Sequence, residues 1–340
     1  MEYEVGMFGG SFEPLHIGHI HDMIRAACVC DELHIMISWS KQRDLIPKEL
    51  RYRWVLNSVK HLPNVQVHLV EDTAATKEEY ADMKYWLQGA EDIRRIIGKH
   101  IDAVFAGDDY KDTDYFPNCY PDSTIIYYPR KEVPISSTDI RNDVIRQWDY
   151  VPQIVRQHYV KKVLIIGSES TGKSTLVQNL AQAYNTNYVE EYGRLTCEIA
   201  GGEEYMTEQD LMENLLYQKT KEMEAAKHSN RILFVDTDAK TTHFYGKLLL
   251  ENVPARFHML SEAISNYNDF DLIIFLFPTV DFIQDGTRNE KIAANRIKFS
   301  RILRSKYSMD KVYDVGGDYL DRFNTAKKLI KDVCGITTQW

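Results

Sequence analysis

Cysteine is scarce in this sequence, and its distribution disfavours a framework built on thiols. The 340 residues contain five cysteines, an odd number, and all but Cys28 and Cys30 lie far apart. Cys28 and Cys30 fall in an apolar helical pattern without a second pair of ligands nearby. A disulfide scaffold and a zinc site are therefore disfavoured. We expect reduced thiols, as in a cytoplasmic protein.

Long apolar runs and an excess of basic residues are also missing. No apolar segment approaches the roughly 20 residues of a membrane-spanning helix, and the acidic start MEYEVGMFGG does not resemble a secretion signal. The formal net charge is −9, with Lys and Arg scattered, whereas a general nucleic-acid binder presents a basic face. The sequence thus predicts a cytoplasmic protein with neither a membrane nor a nucleic-acid partner. Any anionic nucleotide must be bound by positive charge concentrated in a pocket.

What the sequence does contain is the alternation of an α/β fold, in two halves. Each half opens with a short apolar strand, a Gly-rich turn and an amphipathic helix. Further apolar segments, spaced by helical stretches, follow at 33–38, 65–70, 102–107, 123–128, 186–191, 231–236 and 271–277. This alternation predicts parallel sheets with crossover helices. We predict two domains, 1–155 and 160–340, because Pro152 and a new strand follow a helical segment.

The turn of the second half, GSESTGKS, matches GxxxxGK[ST] with a strand before it and a helix after it. In such a P-loop, successive backbone N–H groups point at phosphate oxygens, and the helix dipole adds positive potential. Lys173 would bridge the β- and γ-phosphates, and the Ser174 hydroxyl would complete a Mg²⁺ shell. ATP is therefore the expected co-substrate and Mg²⁺ the expected cofactor. The predicted ATP contacts are Gly167, Ser170, Thr171, Gly172, Lys173, Ser174 and Thr175.

Three further segments of the second half indicate a small-molecule kinase. RILFVDTD ends a predicted strand with Asp236, a carboxylate suited to holding Mg²⁺. VEEYGR places Glu191 and Arg194 where a carboxylate can accept the proton of the attacking hydroxyl. Arg288 and Arg296, in a later polar stretch, predict a lid that neutralises charge on ATP, with a surface helix as the competing interpretation. No guanine-specific signature stands out, so a nucleoside or nucleotide kinase is favoured over a GTPase.

The turn of the first half contains an HxGH element at residues 16–19, and a helix is predicted from about His19 to Cys30. Gly9 and Gly10 let a nucleotide approach the backbone at the strand end. Two imidazoles at a helix start can stabilise charge during adenylyl transfer. Near the end of the same half lies ISSTDIR, residues 135–141, whose hydroxyls and Arg141 can bind ATP phosphates from the opposite side. Two such motifs at the two ends of one α/β domain predict a nucleotidyltransferase.

Other interpretations of these motifs stay open at the sequence level. His16, His19 and His21 could form a metal cluster, although no acidic or cysteine ligand accompanies them. The Ser-Ser-Thr-Asp run could serve as a helix N-cap. A class I aminoacyl-tRNA synthetase also carries such a histidine element, but neither a KMSKS-type loop nor an anticodon-binding region is apparent.

Taken in order, the motifs resemble those of the bifunctional nicotinamide-mononucleotide adenylyltransferase/ribosylnicotinamide kinases, the NadR family. The matching segments, in both halves, are GMFGGSFEPLHIGHI, VPISSTDIR, GSESTGKS, EEYGR, FVDTDAKTT and DGTR. The resemblance implies a Rossmann-like HxGH nucleotidyltransferase followed by a P-loop kinase. The C-terminal half would phosphorylate nicotinamide riboside with ATP to the mononucleotide. The N-terminal half would then adenylylate that product with ATP to NAD and pyrophosphate.

The resemblance also implies roles for individual residues. In the first site, Trp86 would stack on the nicotinamide ring, although a core position is the competing interpretation. The residues that would hold ATP there are Gly9, Gly10, Phe12, His16, His19, Ser137, Thr138 and Arg141. In the kinase, the riboside would be bound by Glu191, Tyr192 and Asp238, Mg²⁺ by Ser174 and Asp236, and ATP by the P-loop with Arg288 and Arg296. The expected catalytic residues are His16, His19, Arg141, Lys173, Glu191 and Asp238, with Glu191 the favoured proton acceptor.

The remaining expectations concern partners and alternatives. Some members of the family carry an N-terminal helix-turn-helix domain; here the first strand begins within a few residues of Met1, so we expect that domain to be lacking. The expected partners are nicotinamide riboside, its mononucleotide, ATP and NAD, and a homo-oligomer is left open. Two alternatives remain: the same domains acting on another phosphorylated small molecule, or a regulator that senses NAD and ATP.

Overall fold

The computed structural model describes residues 1–282 and 295–338. The chain divides into two compact units, Met1–Arg156 and Gln157–Trp340, here called unit 1 and unit 2. None of the helices in the described residues is both long and apolar enough to cross a membrane.

Unit 1 is built on a five-stranded sheet. Its strands are β1 Tyr3–Gly10, β2 Cys30–Trp39, β3 Val65–Glu71, β4 Ala103–Gly107 and β5 Thr124–Tyr128. Its helices are α1 Ile17–Val29, α2 Lys48–Val59, α3 Lys77–Tyr80, α4 Met83–Ile97, α5 Tyr115–Cys119, α6 Ser137–Asn142 and α7 Gln153–Arg156, with 3₁₀ turns at Asp108–Tyr110 and Trp148–Tyr150. The strand order is β3-β2-β1-β4-β5, and every pair is parallel.

The burial of this sheet explains why its strands read as almost continuous apolar runs. Ile35 and Ile37 of β2 and Val104 and Phe105 of β4 are wholly buried, because helices cover both faces of a parallel sheet. The strand order reverses between β1 and β4. Ligands of open α/β sheets bind beyond the carboxyl ends of the strands at such a point. The turn that follows β1 is therefore the expected place for a site.

Unit 2 has a second five-stranded parallel sheet, in the order β10-β9-β6-β8-β7. Its strands are β6 Lys161–Gly167, β7 Tyr188–Val189, β8 Ile232–Asp236, β9 Leu272–Leu276 and β10 Val312–Val315. The helices of its described residues are α8 Lys173–Ala183, α9 Tyr192–Ala200, α10 Glu208–His228, α11 Ala239–Leu249, α12 Ala255–Tyr267, α13 Arg296–Ser305 and α14 Tyr319–Cys334, with a 3₁₀ turn at Glu203–Tyr205. The predicted α/β fold with parallel sheets is thus confirmed in both units.

Local sequence signals account for several helix starts. Thr207 and Asp210 form a capping box at α10, and Asp318 and Asp321 form another at α14. The HxGH helix begins at Ile17, two residues before the predicted start near His19. It does so because an imidazole serves as its N-cap, which is not one of the usual capping residues.

Candidate active sites

The two histidines of HxGH lie together at the start of α1. His16 has an extended backbone, and its Nδ1 accepts the backbone N–H of His19 at 3.3 Å. The two rings stack with their centroids 3.6 Å apart. A Cβ at Gly18 would lie 3.1 Å from Nδ1 of His16, so the glycine leaves room for this stacking. Among the residues that the structure describes, no group of three or more His, Cys, Asp or Glu side chains is arranged to hold a metal ion.

Both imidazoles are neutral near pH 7. Burial, followed by the positive charge of the nearby Arg130, lowers the pKa of His16 to about 4. Burial, followed by the neighbouring His16, holds the pKa of His19 well below its usual value. Nε2 of His16 and Nδ1 of His19 are buried and form no hydrogen bond with the described part of the protein. Each imidazole thus has one ring nitrogen available to a ligand.

Phe12 packs against His19 and is not one of the residues that line the cleft. Its ring is 1% exposed, meets His19 edge-on at 5.0 Å and lies parallel to Phe8. A Cβ at Gly10 would approach this ring to 2.9 Å, so Gly10 must lack a side chain where the strand passes over it. Gly9 and Gly10 line the cleft. Phe12 thus packs beside the histidines, and its contact with ATP stays a prediction.

The second motif, ISSTDIR, contacts the HxGH turn directly. Ser136 and Asp139 form a capping box, so the N-cap interpretation holds for the residue that precedes Ser137. Ser137 Oγ donates to the carbonyl oxygen of Pro14 at 2.9 Å. Arg141 donates to the Glu13 carbonyl oxygen and to Thr138 Oγ1. The structure thus brings together motifs more than 115 residues apart in sequence.

The cleft beside these motifs has a volume of about 560 Å³ and an aromatic wall. Trp86 is part of that wall: its ring stacks on Tyr115 at 4.4 Å, and its Nε1 donates to the Tyr80 carbonyl oxygen at 2.7 Å. Its stacking on nicotinamide stays a prediction. The cleft residues that sequence reasoning missed come from separate segments without a common spacing, among them Arg43, Asp72, Tyr80, Tyr110, Phe116 and Tyr120.

Two buried polar side chains fix the loops around this cleft. The Glu13 carboxylate accepts the backbone N–H groups of Leu45 and Ile46 at 2.5 and 2.6 Å. Arg51, wholly buried on α2, donates to the carbonyl oxygens of Ser11 and Ser38 and pairs with Asp44. Glu13 lies within the segment GMFGGSFEPLHIGHI, but its side chain was assigned no role. Arg51 belongs to no motif, and an isolated arginine in a helix usually lies on the surface, so sequence reasoning had no signal for it.

In unit 2 the P-loop joins β6 to α8 as predicted. Gly172, immediately before α8, has a φ of +80°, and a Cβ at Gly167 would lie 2.7 Å from the Leu276 carbonyl oxygen. These two positions require glycine for different reasons, backbone conformation and close approach. Lys173 is buried, and its Nζ donates to the Ser168 carbonyl oxygen at 3.3 Å. Thr175 is exposed in the first turn of α8.

Two arginines outside the P-loop hold its backbone from other helices. Arg322, buried on α14, donates to the carbonyl oxygens of Thr171 and Phe277. Arg296, at the start of α13, donates to the carbonyl oxygens of Ser170 and Val280 at 3.1 and 3.0 Å. Arg296 thus lies beside the predicted ATP contacts and engages the backbone there. The other predicted lid residue, Arg288, lies outside the described residues.

Asp236 and Ser174 form a polar pair at the end of β8. Ser174 Oγ donates to Asp236 Oδ2 at 2.6 Å, and Arg194 Nη2 lies 3.3 Å from the same hydroxyl oxygen. Burial raises the pKa of Asp236 to about 6, although the positive charge of Lys173 lowers it. A buried carboxylate in this state is stabilised by a nearby cation. With a hydroxyl beside it, the pair has the oxygen ligands that Mg²⁺ prefers.

A small pocket of about 110 Å³ adjoins the P-loop lysine. Glu191 lines it together with residues that sequence reasoning did not single out, among them Cys197, Asn214, Gln218, Thr237, Thr242 and Tyr245. The pocket wall does not include Tyr192, whose ring stacks on Tyr217 at 5.0 Å. These are side chains from four helices and the turn after β8, which only the fold brings together.

The Asp238 side chain caps α11 and does not line this pocket. Its Oδ1 accepts the backbone N–H of Thr241 at 3.1 Å and hydrogen bonds from the hydroxyls of Thr241 and Tyr307. Of the two adjacent residues, Thr237 lines the pocket and Asp238 does not. The structure thus places Asp238 at the start of α11 and outside the lining of this pocket, and its contact with the riboside stays a prediction.

Comparison with known proteins agrees with this division. Residues 7–143 match the cytidylyltransferase-like family and residues 162–322 match an AAA domain family. The trifunctional NAD biosynthesis/regulator protein NadR of Escherichia coli strain K12 is 27% identical over 349 residues, which cover 97% of this chain and 83% of that protein.

Two crystal structures share the fold. A NadR protein in complex with NR has a TM-score of 0.83 at 23% identity, covering 100% of this chain and 98% of its own. A NadR protein in complex with NAD and AMP-PNP has a TM-score of 0.78 at 22% identity, covering 99% and 98%. With its ordered motifs and its two parallel-sheet units, this chain is thus similar along nearly its whole length to NadR proteins.

Proposed function

We propose that this protein makes NAD from nicotinamide riboside in two ATP-dependent steps. Unit 2 phosphorylates the riboside to nicotinamide mononucleotide, and unit 1 adenylylates the mononucleotide to NAD. The observation that carries the proposal is the presence of both nucleotide sites in one chain that is similar over 97% of its length to a NAD biosynthesis/regulator protein. The protein acts in the cytoplasm on small-molecule substrates.

The kinase step follows from the position of Glu191 next to Lys173 in one pocket. The 5′-hydroxyl oxygen of the riboside attacks the γ-phosphorus of ATP, the bond to the β–γ bridging oxygen breaks, and ADP leaves. Glu191 accepts the hydroxyl proton. Lys173 and the P-loop N–H groups stabilise the charge on the transferred phosphoryl group. Asn214 and Tyr245 supply polar side chains to the acceptor wall.

Ser174 and Asp236 fit a Mg²⁺ ion, since a hydroxyl and a buried carboxylate of raised pKa lie 2.6 Å apart beside the P-loop. When bound there, Mg²⁺ neutralises part of the triphosphate charge. The chain's own contribution is to hold these two oxygens at the end of β8 and the start of α8.

The adenylyl step needs no covalent intermediate on the protein. A 5′-phosphate oxygen of the mononucleotide attacks the α-phosphorus of ATP, and pyrophosphate leaves. His16 and His19 are neutral, and each keeps a ring nitrogen without a partner among the described residues, so they can donate hydrogen bonds to phosphate oxygens. Donors already in place need no rearrangement as charge develops in the transition state. Thr138 and Arg141 approach from the facing motif.

Acceptor competition tests the proposed substrates. Purified protein is incubated with ATP, Mg²⁺ and one acceptor at a time: nicotinamide riboside, another nucleoside, nicotinamide mononucleotide or pantetheine phosphate. We expect ADP formation with the riboside and pyrophosphate formation with the mononucleotide, each at least about tenfold above the other acceptors, a difference of roughly 1.4 kcal/mol in transition-state binding. Preference for another acceptor would assign the same domains to a different substrate. Ligand binding without any turnover would favour the sensor.

A further inference from the structure

Glu191 lies at a position whose side chain normally caps the helix that follows. It is the N-cap residue of α9, yet its carboxylate makes no capping hydrogen bond and instead lines the acceptor pocket. The first N–H groups of any helix lack partners within the helix and are usually satisfied by the N-cap side chain. A carboxylate at this position is therefore drawn towards its own helix. The first N–H group, that of Tyr192, needs a partner from elsewhere in any case, because an N-cap side chain bonds the second or third N–H of its helix.

Gln218 on α10 supplies that partner. Its Oε1 accepts the backbone N–H of Tyr192, the first residue of α9, at 2.9 Å. Its Nε2 donates to the carbonyl oxygens of Asp236 and Thr237 at 2.9 and 3.3 Å. The orientation of the amide is fixed, because an N–H can only donate and a carbonyl oxygen can only accept. The side chain is 8% exposed, so these bonds are shielded from water.

One amide thus connects the two backbone segments that carry the kinase chemistry. Asp236 ends β8, and Thr237 follows with a φ of +72°, in the left-handed region that a threonine rarely adopts. The second segment is the turn of Glu191. One helical turn before Gln218, Asn214 accepts a hydrogen bond from Thr196 of α9, so the same face of α10 holds α9 at two points.

We propose that Gln218 is a positioning residue of the riboside kinase. It ties the first N–H group of α9 to the backbone at the end of β8, and so fixes the turn that carries Glu191 relative to Asp236. Without the amide, the N–H of Tyr192 loses this partner, and the carboxylate of Glu191 is no longer held at the acceptor. This role rests on the kinase function proposed above.

The test compares Gln218→Met, which keeps the length of the side chain and removes both hydrogen bonds, with Gln209→Met. Gln209 is an exposed glutamine on the same helix, bonded only to the side chain of Glu213 among described residues. We expect Gln218→Met to lower kcat for riboside phosphorylation about 10- to 100-fold, as displacement of a reacting group does. The KM for ATP and the slow hydrolysis of ATP without riboside should change less than about fivefold, because Gln218 contacts the Asp236 backbone but not the P-loop. Gln209→Met should behave as wild type.

A double-mutant cycle shows whether Gln218 acts through Glu191. In a Glu191→Gln background, which lacks the carboxylate, Gln218→Met should lower kcat less than about threefold further. Independent, multiplying losses would overturn the role. A parallel fall of riboside transfer, ATP hydrolysis and ATP affinity would also overturn it, since that pattern indicates a general loss of structure.

A normal riboside rate in Gln218→Met would refute the positioning role alone. Absence of riboside phosphorylation in wild type would refute the proposed function, and the role of Gln218 with it.

Discussion

At the scale of single residues, burial decides which protonation states the two sites use. His16 and His19 are removed from water, so their neutral forms are favoured and they can serve as donors without carrying charge. Asp236 is also buried, but its pKa of about 6 lets it ionise near neutral pH, where a cation can bind it. Burial thus leaves neutral hydrogen-bond donors for phosphate in one site and, in the other, a carboxylate that a metal ion can bind.

The depressed pKa of His16 predicts a pH-dependent stability. An unfolded histidine takes up a proton near pH 6.5, whereas folded His16 does so near pH 4. Between these values the unfolded state binds more protons, so stability falls as the pH falls from 6.5 towards 4. Between pH 7 and 5 this group should remove about 2 kcal/mol. His16→Asn, which keeps a capping oxygen, should lose that much less over the same interval.

Urea unfolding followed by tryptophan fluorescence measures this difference. Four of the five tryptophans, Trp39, Trp54, Trp86 and Trp148, belong to unit 1, so the signal reports mainly on the unit that contains His16. Equal losses in wild type and His16→Asn would contradict the assignment of the low pKa to this residue.

Glu191 and Asp238, the two carboxylates that the sequence suggests as proton acceptors, should differ in how far their substitution lowers kcat. Glu191→Gln removes the acceptor from the pocket and should lower kcat for riboside phosphorylation about 10²- to 10⁴-fold. Asp238→Asn keeps an oxygen that can cap α11, and its position outside the pocket predicts a loss of less than about tenfold. Steady-state kinetics with riboside as the varied substrate checks both. A larger loss for Asp238→Asn would restore Asp238 as the base.

At the scale of elements, the sequence was informative wherever a local pattern had a local cause. The parallel strands follow from their apolar runs, and the P-loop from glycines that the backbone requires at Gly167 and Gly172. The start of α1 was misplaced because its cap is a histidine, a residue without a capping signature. Elements whose residues follow a period or a fixed spacing could thus be predicted from the sequence alone.

Contacts between segments that are distant in the sequence could not be predicted. Asp238 looked like an acceptor residue because it follows Asp236 by two positions, but Tyr307, 69 residues later, closes around it. Gln218, Arg51 and Arg322 each hold a backbone segment from a distant helix. Their contacts span 18, 40 and 151 residues, and no spacing in the sequence encodes such distances. Positioning residues were therefore missed, whereas residues inside motifs were found.

At the scale of the whole molecule, each unit carries its own sheet, its own nucleotide motif and its own acceptor cavity. The product of the kinase, a mononucleotide with a 5′-phosphate, is the nucleophile that the adenylyltransferase needs. The chemistry therefore sets the order of the two steps. Because the catalytic groups of the two steps belong to different units, each step should be removable without the other.

The most direct test follows nicotinamide riboside, its mononucleotide and NAD over time in wild type, Lys173→Ala and His19→Ala, with ATP and Mg²⁺ present. Wild type should make NAD. His19→Ala should accumulate mononucleotide, and Lys173→Ala should leave riboside unchanged yet convert added mononucleotide to NAD, each blocked step falling at least about 100-fold. Equal parts of the two variants should together make NAD from riboside. If a folded Lys173→Ala variant also lost adenylyl transfer, or if the mixture made no NAD, two independent ATP sites acting in succession would be contradicted.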